Sequence, residues 1–359
     1  MIETEHAKVF HGSNLDVLPT LADNSIDAIV TDPPYELGFM GKSWDSSGIA
    51  YSVELWSECM RVLKPGGHLL AFGGSRTWHR LAVAIEDAGF EMRDSIAWLY
   101  GSGFPKSMDV AKAIDKAAGY EGEVIGRETV DVGMQGGSMH AGRETKLLER
   151  EIKSLSPEAI KWQGWGTALK PAFEPVVVAR KPFNGTVAGN VLEWGVGGLN
   201  IDGSRIGTEP VTINTFDNGA KPFGGAVGEP YTAKQVTGRW PANIILDHYT
   251  AELLDEQSGI LKSGALKAGR PVAHTNVDFR QGLDVCHYES EANSGGASRF
   301  FYVAKASKRD RNEGLEELEG KQASYASDTR LHNNGDGSPR NKEENTKNFH
   351  PTVKPTSLM

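Results

Sequence analysis

Cysteine is scarce: Cys59 and Cys286 are the two in 359 residues, far apart and in unlike contexts. That supply makes neither a disulfide framework nor a zinc quartet, and it suits a reducing compartment. No apolar run is long enough to cross a bilayer. The N-terminus opens on acidic and polar residues rather than a basic stretch and an apolar core, so no secretory signal is read there. A cytoplasmic location is expected. Positive charge is also short, with 38 Lys and Arg against 47 Asp and Glu, a formal net charge of -9. An acidic chain is a poor sequence-blind binder of polyanions, although a binder needs only one basic patch where phosphate sits.

What is present is the composition of a globular protein, 39% hydrophobic and 24% charged, in a chain long enough for one large or two medium domains. Much of the glycine falls in irregular stretches such as Gly133–Gly137 and Asn218–Gly228, read as loops. The first hundred residues are regular. His6–His11 reads as a short strand, and Leu15–Leu21 has apolar residues at helical spacing. Ile26–Thr31 is a β-branched strand, taken as buried, that must end at Pro33-Pro34 because proline has no N–H for a ladder. Val53–Leu63 follows as an amphipathic helix with Val53, Trp56, Met60 and Leu63 on one face. Lys64–Gly67 stops it, and His68–Phe72 is the next strand. Trp78–Ala88 is a helix closed by Gly89, and Met92–Leu99 another strand. This β-α-β-α-β rhythm predicts an α/β fold with a parallel, doubly wound sheet. Beyond it come a short helix at Val110–Ala118, a polar glycine-rich loop at about 119–155, and a strong strand at Phe173–Ala179. Residues 182–300 have no readable fold, and 321–348 are polar enough to be mobile.

The chemistry concentrates at Asp32-Pro33-Pro34-Tyr35, at the carboxyl end of the Ile26–Thr31 strand, where open α/β sheets bind ligands. Read blandly, these four residues are a strand-terminating turn. Read chemically, a carboxylate (Asp32) and a backbone carbonyl (Pro33) are two acceptors on a backbone stiffened by Pro33 and Pro34. Such a pair would grip both hydrogens of an exocyclic base amine and localise its lone pair. Tyr35 offers a face for stacking a base, worth roughly 1–3 kcal/mol, once the base has left the duplex.

Ile29–Tyr35 resembles the catalytic motif of the DNA N6-adenine/N4-cytosine methyltransferases. Gly12-Ser13-Asn14-Leu15 resembles the strand end preceding that motif, and Leu63–Gly67 a helix-to-strand turn common in methyltransferase folds. His350-Pro351-Thr352-Val353-Lys354-Pro355 resembles the segment of the β-type arrangement, in which the catalytic half precedes the cofactor half. Gly103–Ser107, Gly164–Pro171 and Gly238–Asn243 look like runs of phage and prophage members. The resemblance spans nearly the whole chain. It implies a Rossmann-like sheet, circularly permuted, with a large recognition insertion. It also implies S-adenosylmethionine as cofactor, duplex DNA as partner, direct methyl transfer to a flipped base with adenine N6 favoured over cytosine N4, and a place in phage or restriction-modification biology in the bacterial cytoplasm.

The implied site residues are Asp32, Pro33, Pro34 and Tyr35 for the base, and Ser13, Thr31, Asp32, Thr352, Lys354 and Pro355 for the cofactor. The implied domains are 1–181 (catalytic half), 182–300 (target recognition) and 301–359 (return to the core). Two departures stand out. Ser13 replaces an acidic residue, and Met359 precedes the family's Asp-Pro-Phe-x-Gly-Ser-Gly loop. The second implies a truncated product, or one half of a split enzyme completed by a separate C-terminal half, with a homodimer as the other association; the alternative to an active enzyme is a truncated or split, non-catalytic DNA-binding fragment.

Lesser candidates remain. Trp44-Asp45 is placed to touch DNA or to pack its loop. Lys305, Lys308, Arg309 and Arg311 can meet phosphate or form a solvated face beside Asp310 and Glu313. Cys286-His287 suggests metal only if partners converge. An RNA or protein-amide methyltransferase would more often carry Asn in place of Asp32 and a cofactor loop upstream of it. Neither cysteine sits in the Pro-Cys context of a cytosine-C5 nucleophile, and Cys59 reads as a core residue.

Overall fold

The computed structural model describes residues 2–3, 5–38, 43–101, 103, 107–131, 147–216, 231–264, 271–272, 284–285 and 292–304. They fall into two compact units. One is built from segments before residue 103 and between 172 and 303, the other from the segment 103–171.

The first unit is an α/β layer. In chain order it runs through β1 (Ile26–Thr31), α1 (Val53–Val62), β2 (Leu63–Phe72), α2 (Trp78–Asp87) and β3 (Glu91–Leu99). The segment 103–171 supplies α3 (Val110–Ala118), β4 (Val124–Asp131) and β5 (Leu147–Lys153). The chain then continues with β6 (Phe173–Arg180), α4 (Val187–Trp194), the antiparallel pair β7 (Ile206–Phe216) and β8 (Tyr231–Arg239), β9 (Ile244–Asp247), α5 (His248–Ser258) and β10 (Tyr302–Ala304). A six-stranded sheet has the order β10-β9-β3-β6-β2-β1. β1 runs parallel to β2 and β9 parallel to β3, whereas β6 is antiparallel to both β2 and β3. The three strands of the β-α-β-α-β rhythm therefore point one way, and the sheet is mixed because of β6.

Connectivity explains the direction of β6. β3 ends at Leu99, the chain departs, and it re-enters beside that end, so that Leu99 pairs with Phe173 and Tyr100 N–H donates to the Ala172 carbonyl at 2.9 Å. β3 and β6 thus form a hairpin whose connection is the whole of 103–171. Residues 174–179 of β6 are all buried, as expected of a strand covered on both faces.

Three expectations are corrected. β1 is an edge of the described sheet rather than a buried strand. With a partner on one side only, it leaves Val30 37% exposed. α1 differs from the expected inward face at Val53, which is exposed. Trp56 and Leu63 are buried as expected and Met60 packs against the core, joined by buried Leu55, Cys59 and Val62, and the helix starts at Ser52, whose Oγ accepts from Leu55 N–H at 3.2 Å. Lys64–Gly67 also differs from a plain turn. It belongs to β2 as an irregularity between the pairs Ile26–Leu63 and Ala28–His68, with Gly66 at φ +79°.

On one side of the sheet, α1 and α2 close a core of Trp56, Leu63, Leu69, Leu81, Ile85 and Val177. Full burial of each such side chain stabilises the fold by about 1.5–3 kcal/mol. Trp56 spends no polar penalty there, because its indole N–H donates to the Ala50 carbonyl at 3.0 Å. Residues 182–300, expected as a recognition insertion, supply β9 to this same sheet and the β7–β8 pair. Gly195-Val196-Gly197 is the turn that ends α4, with Gly195 left-handed at its C-cap.

In the second unit the expected glycine-rich loop is flanked by strands. β4 and β5 pair antiparallel, and residues 132–146 between them lie outside the described residues. α3 occupies its expected span. It starts at Asp109, whose carboxylate accepts from Lys112 N–H at 3.2 Å, and ends at left-handed Gly119. The buried Asp115 carboxylate accepts from Ser156 Oγ at 2.6 Å and its N–H at 3.3 Å.

Candidate active site

β1 delivers Thr31 half-buried and Asp32 exposed, and Pro33, Pro34 and Tyr35 follow half-buried. Lacking N–H groups, the prolines leave the ladder, and the chain turns over the end of β2. Two carboxylates then fix the turn from opposite ends. Buried Asp45 accepts from Glu36 N–H at 3.0 Å and Leu37 N–H at 3.3 Å. Glu36, at φ +54°, returns the pattern by accepting from Gly48 N–H at 2.8 Å and Ala50 N–H at 3.5 Å. Each charge replaces backbone partners the loop would otherwise lack. Asp45 therefore faces its own backbone rather than a ligand.

Tyr35 is held at three points. Its carbonyl accepts from Thr77 Oγ1 at 2.8 Å, just before α2. Its ring lies against Gly74, where an added Cβ would come within 3.2 Å of ring carbon Cδ2. Its hydroxyl donates to Glu174 Oε2 at 2.8 Å, and Asp32 interacts with the same hydroxyl. Burial, first, and then the negative charges of Glu174 and Asp32 push the phenol well above the ordinary tyrosine range. The recess beside the ring is lined by Pro34, Tyr51, Phe72, Gly73, Thr77 and Trp78, among others. At its rim the Arg80 guanidinium lies 4.6 Å from the centre of the Tyr51 ring.

Glu174 is 7% exposed and opens β6 among aromatic groups. Phe72, Trp98 and Tyr100 form a chain of ring contacts at 6.3 and 5.9 Å. Tyr100 is pushed up to about 12, by burial and then by the Glu174 charge.

The structure brings Thr31, Asp32, Pro33, Pro34 and Tyr35 together. Ser13 is not among the residues that line the recess beside Tyr35. It is exposed, and its carbonyl accepts from Asp16 and Val17 N–H at 3.1 and 3.0 Å. Thr352, Lys354 and Pro355, the Lys305–Arg311 cluster, Cys286-His287 and the Trp44 side chain lie outside the described residues. Among the described residues no group of three or more His, Cys, Asp or Glu could hold a metal, and no helix is long and apolar enough to cross a membrane. Glu174, Thr77 and Tyr100 escaped the sequence reading. A carboxylate inside so apolar a strand as Phe173–Arg180 was the available signal.

The profile of the DNA methylase family matches residues 26–123. The type II methyltransferase M.HindIII of Haemophilus influenzae is 30% identical over 152 residues, 41% of this chain and 38% of that protein. M.HpaI of Haemophilus parainfluenzae is 36% identical over 99 residues, 26% of this chain and 32% of its own. The chain thus spans well under half the length of these relatives. Among solved structures, a DNA modification methylase of Thermus thermophilus complexed with S-adenosyl-L-methionine covers 49% of this chain and 53% of its own, at 17% identity and a TM-score of 0.26. The PvuII cytosine-N4-specific DNA methyltransferase covers 52% of this chain and 61% of its own, at 14% identity and a TM-score of 0.25. Residues 26–123, which contain Asp32, Tyr35, Gly74 and Thr77, are thus the part of the chain that matches the DNA methylase family.

Proposed function

We propose that the chain acts as an S-adenosylmethionine-dependent DNA methyltransferase on the N6 amine of an adenine turned out of the duplex. The observation that carries this reading is the pairing of an exposed Asp32 carboxylate with a half-buried, three-point-held Tyr35 at the end of β1. An aromatic amine is a weak nucleophile because its lone pair is shared with the ring. Asp32 and the Pro33 carbonyl accept its two N–H groups, draw the nitrogen towards tetrahedral geometry and localise the pair. Their backbone is fixed by two prolines and by the Asp45–Glu36 bonds, so little reorganisation is left for the reaction. The face of Tyr35 supports the base while its amine is presented. The nitrogen must give up one proton on gaining its methyl group, and the exposed Asp32 carboxylate passes it to solvent.

The chemistry of the strand end suits the cofactor. Thr31 and Asp32 leave polar groups at the open carboxyl edge of β1, and Ser13, Thr352, Lys354 and Pro355 are the further residues proposed to hold it. When bound, it supplies an electrophilic methyl group. Duplex DNA is the proposed partner, with residues 182–300 proposed to read its sequence.

The test is incubation with labelled cofactor and methylation-free bacterial genomic DNA, which contains every short site, followed by nucleoside mass spectrometry. N6-methyladenine is expected, and N4-methylcytosine alone would replace the proposed base. Asp32→Ala should abolish incorporation with the melting temperature and DNA affinity retained. Full activity in that variant would sink the assignment.

A further inference from the structure

Glu174 takes no part in the steps above, yet its buried carboxylate sits against the residue those steps depend on. A buried charge is costly unless it is hydrogen-bonded, and the Tyr35 hydroxyl provides one such bond at 2.8 Å. That hydroxyl has a single proton, and two carboxylates address it, Glu174 and Asp32. A phenol O–H gives a full hydrogen bond to one acceptor at a time. We infer that Glu174 is a positioning residue that competes for the Tyr35 proton, weakening the phenol's hold on the Asp32 carboxylate when the target amine arrives while fixing the tyrosine ring. The inference rests on the reading that Asp32 receives that amine.

Glu174 is well placed to win the competition. It is anchored by its strand. Trp98 pairs with it across the β3–β6 ladder, and the carbonyl of the next residue, Pro175, accepts from Gly73 N–H at 2.9 Å. Asp32, by contrast, lies past the last ladder pair of β1, Thr31–Ala71, and is exposed. Water competes for its lone pairs, so the drier Glu174 is the stronger partner for a half-buried phenol. Without Glu174 the Tyr35 hydroxyl would have Asp32 as its remaining carboxylate and would draw acceptor strength from it.

The experiment compares the full chain with Glu174→Ala, Glu174→Gln, Tyr35→Phe and the double variant Glu174→Ala/Tyr35→Phe. If Glu174→Ala does not fold, Glu174→Leu takes its place. The first readout needs neither cofactor nor DNA: the carboxylate 13C resonance of Asp32 at neutral pH, assigned with Asp32→Asn. It is expected to move in Glu174→Ala as the phenol turns to Asp32, and to move back when Tyr35→Phe removes the donor. The second readout is methyl incorporation into genomic DNA. Glu174→Ala should lower kcat about tenfold with KM for DNA within about twofold. Glu174→Gln, whose amide oxygen still accepts, should stay within about threefold of the parent. The double variant should recover at least about threefold over Glu174→Ala. A purely structural role predicts no recovery from the second substitution. An Asp32 resonance indifferent to Tyr35→Phe in the Glu174→Ala background overturns the proposal, as does a double variant no faster than Glu174→Ala. Resonances that follow the expected pattern in a chain that methylates no DNA would instead count against the proposed function alone.

Discussion

Among the described residues, buried carboxylates such as Asp45, Asp115 and Glu174 each have a defined hydrogen-bond donor, and other groups resist taking up charge. His68 on β2 illustrates the second course. Partial burial, followed by repulsion from Arg180 and Arg93, holds its imidazole below the ordinary histidine value. Above the ordinary value near 6.5 the folded and unfolded chains are both neutral at this site, and His68 exerts no pull on the equilibrium. As pH falls through that value, the unfolded chain binds a proton that the folded chain resists, so stability is lost towards acid. His68→Gln should therefore lessen the fall in melting temperature between pH 7 and pH 5, read by calorimetry. An equal fall in parent and variant would remove His68 as the cause. At this scale Asp32-Pro33-Pro34-Tyr35 was legible in the sequence, because two prolines after a β-branched run leave little choice of backbone. Glu174 was not legible, because its partner Tyr35 is 139 residues away and no local periodicity joins them.

The turn after β1 is tied by its own carboxylates to the segment before α1. Asp45 is 3% exposed and holds two N–H groups that no strand satisfies. Asp45→Ala would leave those donors wanting, at about 1–3 kcal/mol for each. Faster hydrogen exchange at the Glu36 and Leu37 amides is expected, with the amides paired between β1 and β2 unchanged and methylation reduced. Uniform acceleration across the strand would instead mean that Asp45 supports the whole core. Elements with chemical punctuation were read nearly to the residue. Ser52 starts α1, Gly89 at φ +100° follows α2, and Gly119 closes α3. On α1 only Val53 was misplaced, because it fits the helical stripe of Trp56, Met60 and Leu63 and its exposure depends on what packs against the first turn. The direction of β6 was likewise invisible. An apolar strand reads the same either way, and its orientation follows from where the chain returns.

For the molecule as a whole, the hairpin of β3 and β6 has consequences beyond the sheet. Its two ends are joined by the 2.9 Å bond between Tyr100 N–H and the Ala172 carbonyl, so the chain leaves and re-enters at nearly one point. Everything between is, to the sheet, an oversized turn, and the cost of closing a loop grows only with the logarithm of its length. Replacing residues 103–171 by a short glycine-serine turn should leave the cooperative melting of the first unit intact, checked by circular dichroism and calorimetry. Loss of the transition would show that the sheet depends on the excursion. The junction also opens immediately beside Glu174 and Tyr100. It is a socket in which a lineage can trade one cassette for another without shifting the register of a strand.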